Sequence, residues 1–105
     1  MASISHISAD GPSLGCSNSL LSGIVERALL HAQDEPFIVA LQESEWLGDI
    51  DLYLFSAEYR MIFAEAAEAL ADEIAARTDE YPAYVARVRI IAAEVRKTIG
   101  KECAT

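Results

Sequence analysis

Residues 56–77 read SAEYRMIFAEAAEALADEIAAR, with eight alanines among mostly long, unbranched side chains and no glycine or proline. This composition has high intrinsic helix propensity. At 100° per residue, Phe55, Tyr59, Ile62, Phe63, Ala66, Leu70 and Ile74 fall within an arc of about 120°, an apolar stripe that must be buried against other elements. A long amphipathic helix is therefore predicted here, and the rest of the chain supplies what covers it.

Downstream, Thr78-Asp79-Glu80 breaks and re-caps the chain, and Pro82 suits the first turn of a new helix. Tyr81, Tyr84, Val85, Val88, Ile91, Ala92, Val95 and Ile99 then recur at helical spacing, with Gly100 as the expected stop. Upstream, Asn18 or Ser19 can cap a helix whose stripe is Leu21, Ile24, Val25, Ala28, Leu29 and Ala32. Asp34-Glu35-Pro36 opens another, carrying Phe37, Ile38, Leu41 and Trp46 up to Gly48. The segment from Asp49 to Ser56 has strand-favouring Ile, Tyr and Phe, but no partner strand is evident, so it is assigned to helix or helical turn.

The predicted fold is all-α: a small up-and-down antiparallel bundle of three long helices plus a shorter one, over residues 18–105. Residues 1–17, with five serines, Gly11-Pro12 and Gly15, are expected to form an extended arm. One domain of this size can bury a core without disulfides or metal. Cys16 and Cys103 lack the spacing of a zinc or thioredoxin-like motif and are read as free thiols. The N-terminus lacks a basic, apolar leader, and no apolar run approaches the roughly 18 residues of a membrane span, so a cytoplasmic protein is expected.

Charge is strongly segregated. Residues 34–80 contain thirteen Asp and Glu against only Arg60 and Arg77, whereas Arg87, Arg89, Arg96, Lys97 and Lys101 make residues 81–105 net basic within a chain of net charge −9. On the third helix, Glu58, Glu65, Glu68 and Asp72 lie within about 80° of one another, away from the apolar stripe. Glu65/Glu68 and Glu68/Asp72 are like-charge neighbours, each pair costing roughly 0.2–0.5 kcal/mol. With Glu43, Glu45, Asp49 and Asp51 they form a candidate surface for a basic protein partner, whose Lys and Arg would relieve that repulsion. A solvated face that merely keeps the chain soluble is the alternative.

Other functions have weaker support. The sequence has no Gly-rich phosphate loop, His-Glu-x-x-His, Gly-x-Ser-x-Gly, Glu-x-x-His or calcium-loop pattern. His6 and His31 are read as structural, nothing in the sequence places His31 beside Cys16 as a thiolate pair, and no cofactor is expected. The basic fourth helix could in principle meet nucleic acid, but the net charge opposes a polyanion, and Arg89 and Arg96 are placed to clasp the acidic third helix. Anionic membranes are disfavoured for the same electrostatic reason. Ile90 points away from its helix's stripe and is assigned to an internal contact, a homodimer being the other explanation; Trp46 is either core or an interface anchor.

The expected function is therefore a non-catalytic protein that masks or regulates a basic, possibly nucleic-acid-binding, site on another protein. In size and charge it is similar to acidic inhibitors from phages and mobile elements, such as anti-CRISPR and anti-restriction proteins, and to immunity proteins of nuclease toxins. The likeness is one of class and rests on no motif. A homo-oligomeric helical adaptor is the alternative, and a small-ligand protein or enzyme the third.

Overall fold

The computed structural model describes the backbone of residues 2–5 and 14–103 and the side chains of residues 14–99. In chain order the elements are β1 (Ala2–Ser5), β2 (Leu14–Cys16), α1 (Asn18–Leu29), α2 (Glu35–Leu47), β3 (Asp49–Asp51), a single 3-10 turn at Leu52–Leu54, α3 (Ala57–Arg77) and α4 (Pro82–Cys103). The protein is a small all-α bundle with a three-stranded sheet at one edge.

Local chemistry sets the helix ends. Ser17, one residue ahead of the expected caps, accepts a hydrogen bond from the Leu20 amide at 3.2 Å and starts α1. Asp34 does the same for Phe37 at 3.3 Å, and Pro36 occupies the first turn of α2. Gly48, at φ 74°, closes α2 in the left-handed region, where a side chain would be strained. Gly100 does not stop α4, which runs on to Cys103. A glycine inside a helix costs only about 1 kcal/mol, less than continued packing can offset.

α3 is the central element. Leu70 lies against Gly23 of α1, while Arg60 of α3 reaches Thr98 of α4. Ser19 shares a depression with Ile74 and Arg77, and His31 shares another with Glu58 and Ile62, so α1 runs antiparallel to α3. α4 is also antiparallel to it, since Arg60 meets Thr98 and Asp72 meets Arg89. Burial on two sides widens the apolar face beyond the expected stripe. Phe63, Ala66 and Leu70 are buried as predicted, and so are Ala64, Ala67 and Ala71. These small side chains let neighbouring helices approach closely.

The rest of the core is Cys16 of β2, Leu20, Leu21, Ile24, Val25 and Ala28 from α1, Phe37 and Leu41 from α2, Ile50 of β3, Leu52 of the turn after it, and Val88, Ile91, Ala92, Val95 and Ile99 from α4. Each fully buried large aliphatic or Phe side chain contributes about 1.5–3 kcal/mol. Phe37 also stacks on Tyr59, with centroids 5.2 Å apart, and makes a T-shaped contact with Phe55 at 5.1 Å. These contacts join the start of α2 to the start of α3.

Three further expectations are corrected. Asp49–Asp51 is a strand, and the helix assigned across 49–55 is confined to the turn at Leu52–Leu54; Phe55 is extended and α3 begins only after Ser56. The missing partner is the chain's own start: Ser3, Ile4 and Ser5 pair in parallel with Asp49, Ile50 and Asp51. Ala2, Ser3 and Ile4 pair antiparallel with Cys16, Gly15 and Leu14, so two pieces of the expected arm belong to the sheet. His6 and Gly11-Pro12 lie outside the described residues. A parallel pair needs a long crossover, here supplied by α1 and α2. Ile90 is also corrected: among the described residues no helix covers it, and it remains 48% exposed.

A Cβ on Gly23 would meet the tip of Leu70 at 3.0 Å. Gly23→Ala gains helix propensity against a small adjustment of Leu70 and should leave the melting temperature within a few degrees. Gly23→Val should lower it by about 5 °C or more, because its branches drive into the α1–α3 contact. Thermal unfolding followed by circular dichroism reads both.

Candidate interaction surface

The carboxylates singled out above fall into two groups. On α3, Glu68 takes a two-point hydrogen bond from Arg96, at 2.7 Å to Nε and 2.6 Å to Nη2, and Asp72 lies 3.4 Å from Arg89. Neighbouring Glu73 pairs with Arg27 of α1 and, at 3.8 Å, with Arg77. Arg89 and Arg96 thus form the predicted clasp across the α3–α4 hairpin. Of the α3 ribbon, Glu58 and Glu65 are exposed and pair with no described cation.

The second group lies on α2 and the connection that follows it. Between Asp34 and Tyr59 there are seven Asp and Glu and no Lys or Arg. Alternation along β3 turns Ile50 into the core and sets Asp49 and Asp51 on the opposite face. Glu43, Asp49 and Asp51 join Ala40, Leu47, Ile50, Leu54 and Phe55 around a groove of about 340 Å³ between α2 and β3. Glu45, also exposed, extends the acidic surface along α2.

Apolar exposure concentrates in the same place. Among the described residues eight large hydrophobic side chains are exposed, and five of them, Val39, Trp46, Leu47, Tyr53 and Leu54, lie between positions 39 and 54. Trp46 is 75% exposed, Leu47 61% and Leu54 64%. Isolated exposed aliphatics are ordinary, but this grouping within a single helix end and the adjoining turn is not. The structure therefore places Trp46 at the surface and not in the core.

The burial of Arg60 is the feature next to this surface that sequence reasoning missed. Arg60 is the sole Lys or Arg between Asp34 and Ala76, and it is buried. Its Nε donates to the Phe55 carbonyl at 3.1 Å and its Nη1 to the Thr98 hydroxyl at 2.9 Å; that hydroxyl donates to the Val95 carbonyl at 2.7 Å. Two consequences follow. The end of the groove wall is tied to α4, and the segment's one cation is withdrawn from its acidic surface. Its position one turn into α3, on the edge of the apolar stripe, was the available signal.

Titration is perturbed at few groups. The Arg96 hydrogen bond, partly opposed by burial, holds the Glu68 carboxyl below its ordinary range, and Arg27 does the same for Glu73. Burial pushes up the Cys16 thiol against the nearby Arg87 charge, which makes this free cysteine a poor nucleophile. The Cys103 side chain lies outside the described residues. His31 is exposed on a polar depression with Gln33, Asp34 and Glu58. Among the described residues no three His, Cys, Asp or Glu side chains are grouped to hold a metal ion, and no helix is long and apolar enough to cross a membrane.

No family model matches the chain, and neither a curated protein nor a solved structure shows significant similarity to it.

Because the folded pKa of Glu68 is depressed, its ion pair stabilises the fold above the unfolded carboxylate range and ceases to do so as pH falls through the lower, folded value. Both side chains are 41% exposed, so screening limits the pair to less than about 1 kcal/mol. Arg96→Met should lower the melting temperature by about 2–5 °C at neutral pH. The difference from wild type should shrink progressively in acid, which a pH series of melting curves will read.

Proposed function

We propose that this is a non-catalytic binding protein that docks on a basic surface of a protein partner through the acidic, partly apolar face of α2 and the β3 connection, and thereby masks or regulates that surface. The observation that carries the reading is the coincidence of Trp46, Leu47 and Leu54, all exposed, with Glu43, Glu45, Asp49 and Asp51 in a segment whose one cation is buried. A solvated face needs no exposed Trp or Leu. An apolar centre excludes water and provides affinity, while the surrounding carboxylates steer a basic partner and reject acidic ones.

The α3 ribbon has a smaller part in this reading. Glu68 and Asp72 are engaged by Arg96 and Arg89, so Glu58 and Glu65 alone extend the acidic field on that side. A site that normally receives nucleic-acid phosphates would present the complementary charge. Acidic phage inhibitors and toxin immunity proteins act on such sites, and this chain is proposed to act in the same manner.

A second reading rests on Ile90. Its exposure beside Ala86 and Ala93 on the outer side of α4 leaves an apolar strip that could join two copies in a homo-oligomeric adaptor.

The protein used as bait in lysate of its own host, at low and at raised salt, tests the first reading. A partner held by the wild type, released by salt and lost with Glu43→Lys/Asp51→Lys is the expected result. Retention by that variant would rule out the α2 face. For the second reading, Ile90→Asp should remain folded because the residue is exposed. An unchanged solution mass for that variant would dispose of the adaptor, and a fall from dimer to monomer would favour it.

A further inference from the structure

Resting on the protein-binding reading above, we infer that the groove between α2 and the β3 connection seats an amphipathic helix of the partner, one with an apolar ridge flanked by Lys or Arg. Val39, Glu43 and Trp46 stand at i, i+4 and i+7 on α2, so the exposed Val39 and Trp46 share one face about 10 Å apart along the axis. Leu47 and Leu54 line the adjoining groove. The exposed apolar groups thus recur with a helical period beside a cleft, which is the arrangement that receives a helix through its i, i+3, i+4 and i+7 side chains.

Charge selects among helices. Glu43 and Asp51 border the apolar floor and Glu45 extends the rim, and none of the three pairs with a described cation. A wholly apolar helix would strip water from these carboxylates and leave them unpaired, at a cost that its burial would have to offset. A hydrophilic basic coil would satisfy them but leave Trp46, Leu47 and Leu54 in water. A helix with both features meets both demands.

Trp46 is the only tryptophan in the chain and is exposed, so its emission reports directly on whether this face is covered. The probe is a synthetic peptide of about four helical turns with Leu at the two core positions of each heptad and Lys elsewhere. Its controls are a scrambled peptide of the same composition and a version with every Lys replaced by Glu. The Leu/Lys peptide should shift Trp46 emission to the blue and saturate at one peptide per protein. The scrambled peptide should bind about tenfold more weakly and the Glu peptide not at all. Glu43→Lys/Asp51→Lys and, separately, Leu54→Ser should each weaken binding by about tenfold or more, with circular dichroism showing an intact fold. Glu80→Lys, exposed beyond the far end of α3 from the groove, should change it less than about twofold.

Equal binding of ordered and scrambled peptides, or binding indifferent to the groove substitutions, would overturn the helix. A blue-shifted Trp46 that depends on protein concentration without peptide would overturn it in favour of a second copy. The two readings fail separately. If the lysate partner is lost with Glu43→Lys/Asp51→Lys while the peptides are not distinguished, the acidic docking face stands and the helical occupant falls. If neither response is seen, both fall.

Discussion

The close contact of α3 with the helices on both sides of it is the constraint on which the rest of this molecule depends. A 21-residue helix at the centre of a 105-residue chain must bury its apolar face along its whole length, while Glu58, Glu65 and Asp72 leave the other face in water. Alanines at 64, 66, 67 and 71 let it meet neighbours on two sides without large gaps, and Gly23 brings α1 against Leu70. Dense packing of small side chains offers little apolar area per residue. The hairpin with α4 is therefore supplemented by charge, with Arg96 on Glu68 and Arg89 on Asp72. These exposed pairs contribute modestly to stability, and they favour the observed register of the two helices over others.

The same pairs divide the surface. Arg89 and Arg96 of α4 are engaged by carboxylates of α3, and Arg60 is buried between the connection and Thr98. What remains acidic is α2 and the segment after it, where neither sequence nor packing brings an exposed cation among the described residues. Strong segregation of charge in the sequence becomes a sharper segregation in space. The exposed Trp46, Leu47 and Leu54 sit within that acidic field, and it is on this coincidence that the proposed docking surface rests.

The helices were legible because periodicity and capping are local. Asp34 with Pro36 starts α2, Gly48 ends it, and Pro82 opens α4, each acting within a few residues of itself. The clasp was legible for a related reason: two long helices joined by a short turn must run antiparallel, which brings opposite charges on adjacent faces within reach. The strand at Asp49–Asp51 was not, although its composition favoured it, because its partner is Ser3–Ser5 at the far end of the chain. Gly100 misled in the opposite direction, since a weak helix residue yields to tertiary packing.

By itself, the sequence determined an acidic all-α chain, the approximate extent of four helices, most of the apolar stripes of α1, α3 and α4, and the uneven distribution of charge. Those properties follow from side-chain chemistry and short-range geometry, which act between neighbours in the chain. Tertiary structure alone decided that Arg60 is buried, that Trp46 and Ile90 are exposed, and that Glu68 and Asp72 are paired while Glu43 and Asp51 meet no described cation. Each of these depends on which element covers which face. That is a competition among long-range contacts, settled only when the whole core is assembled.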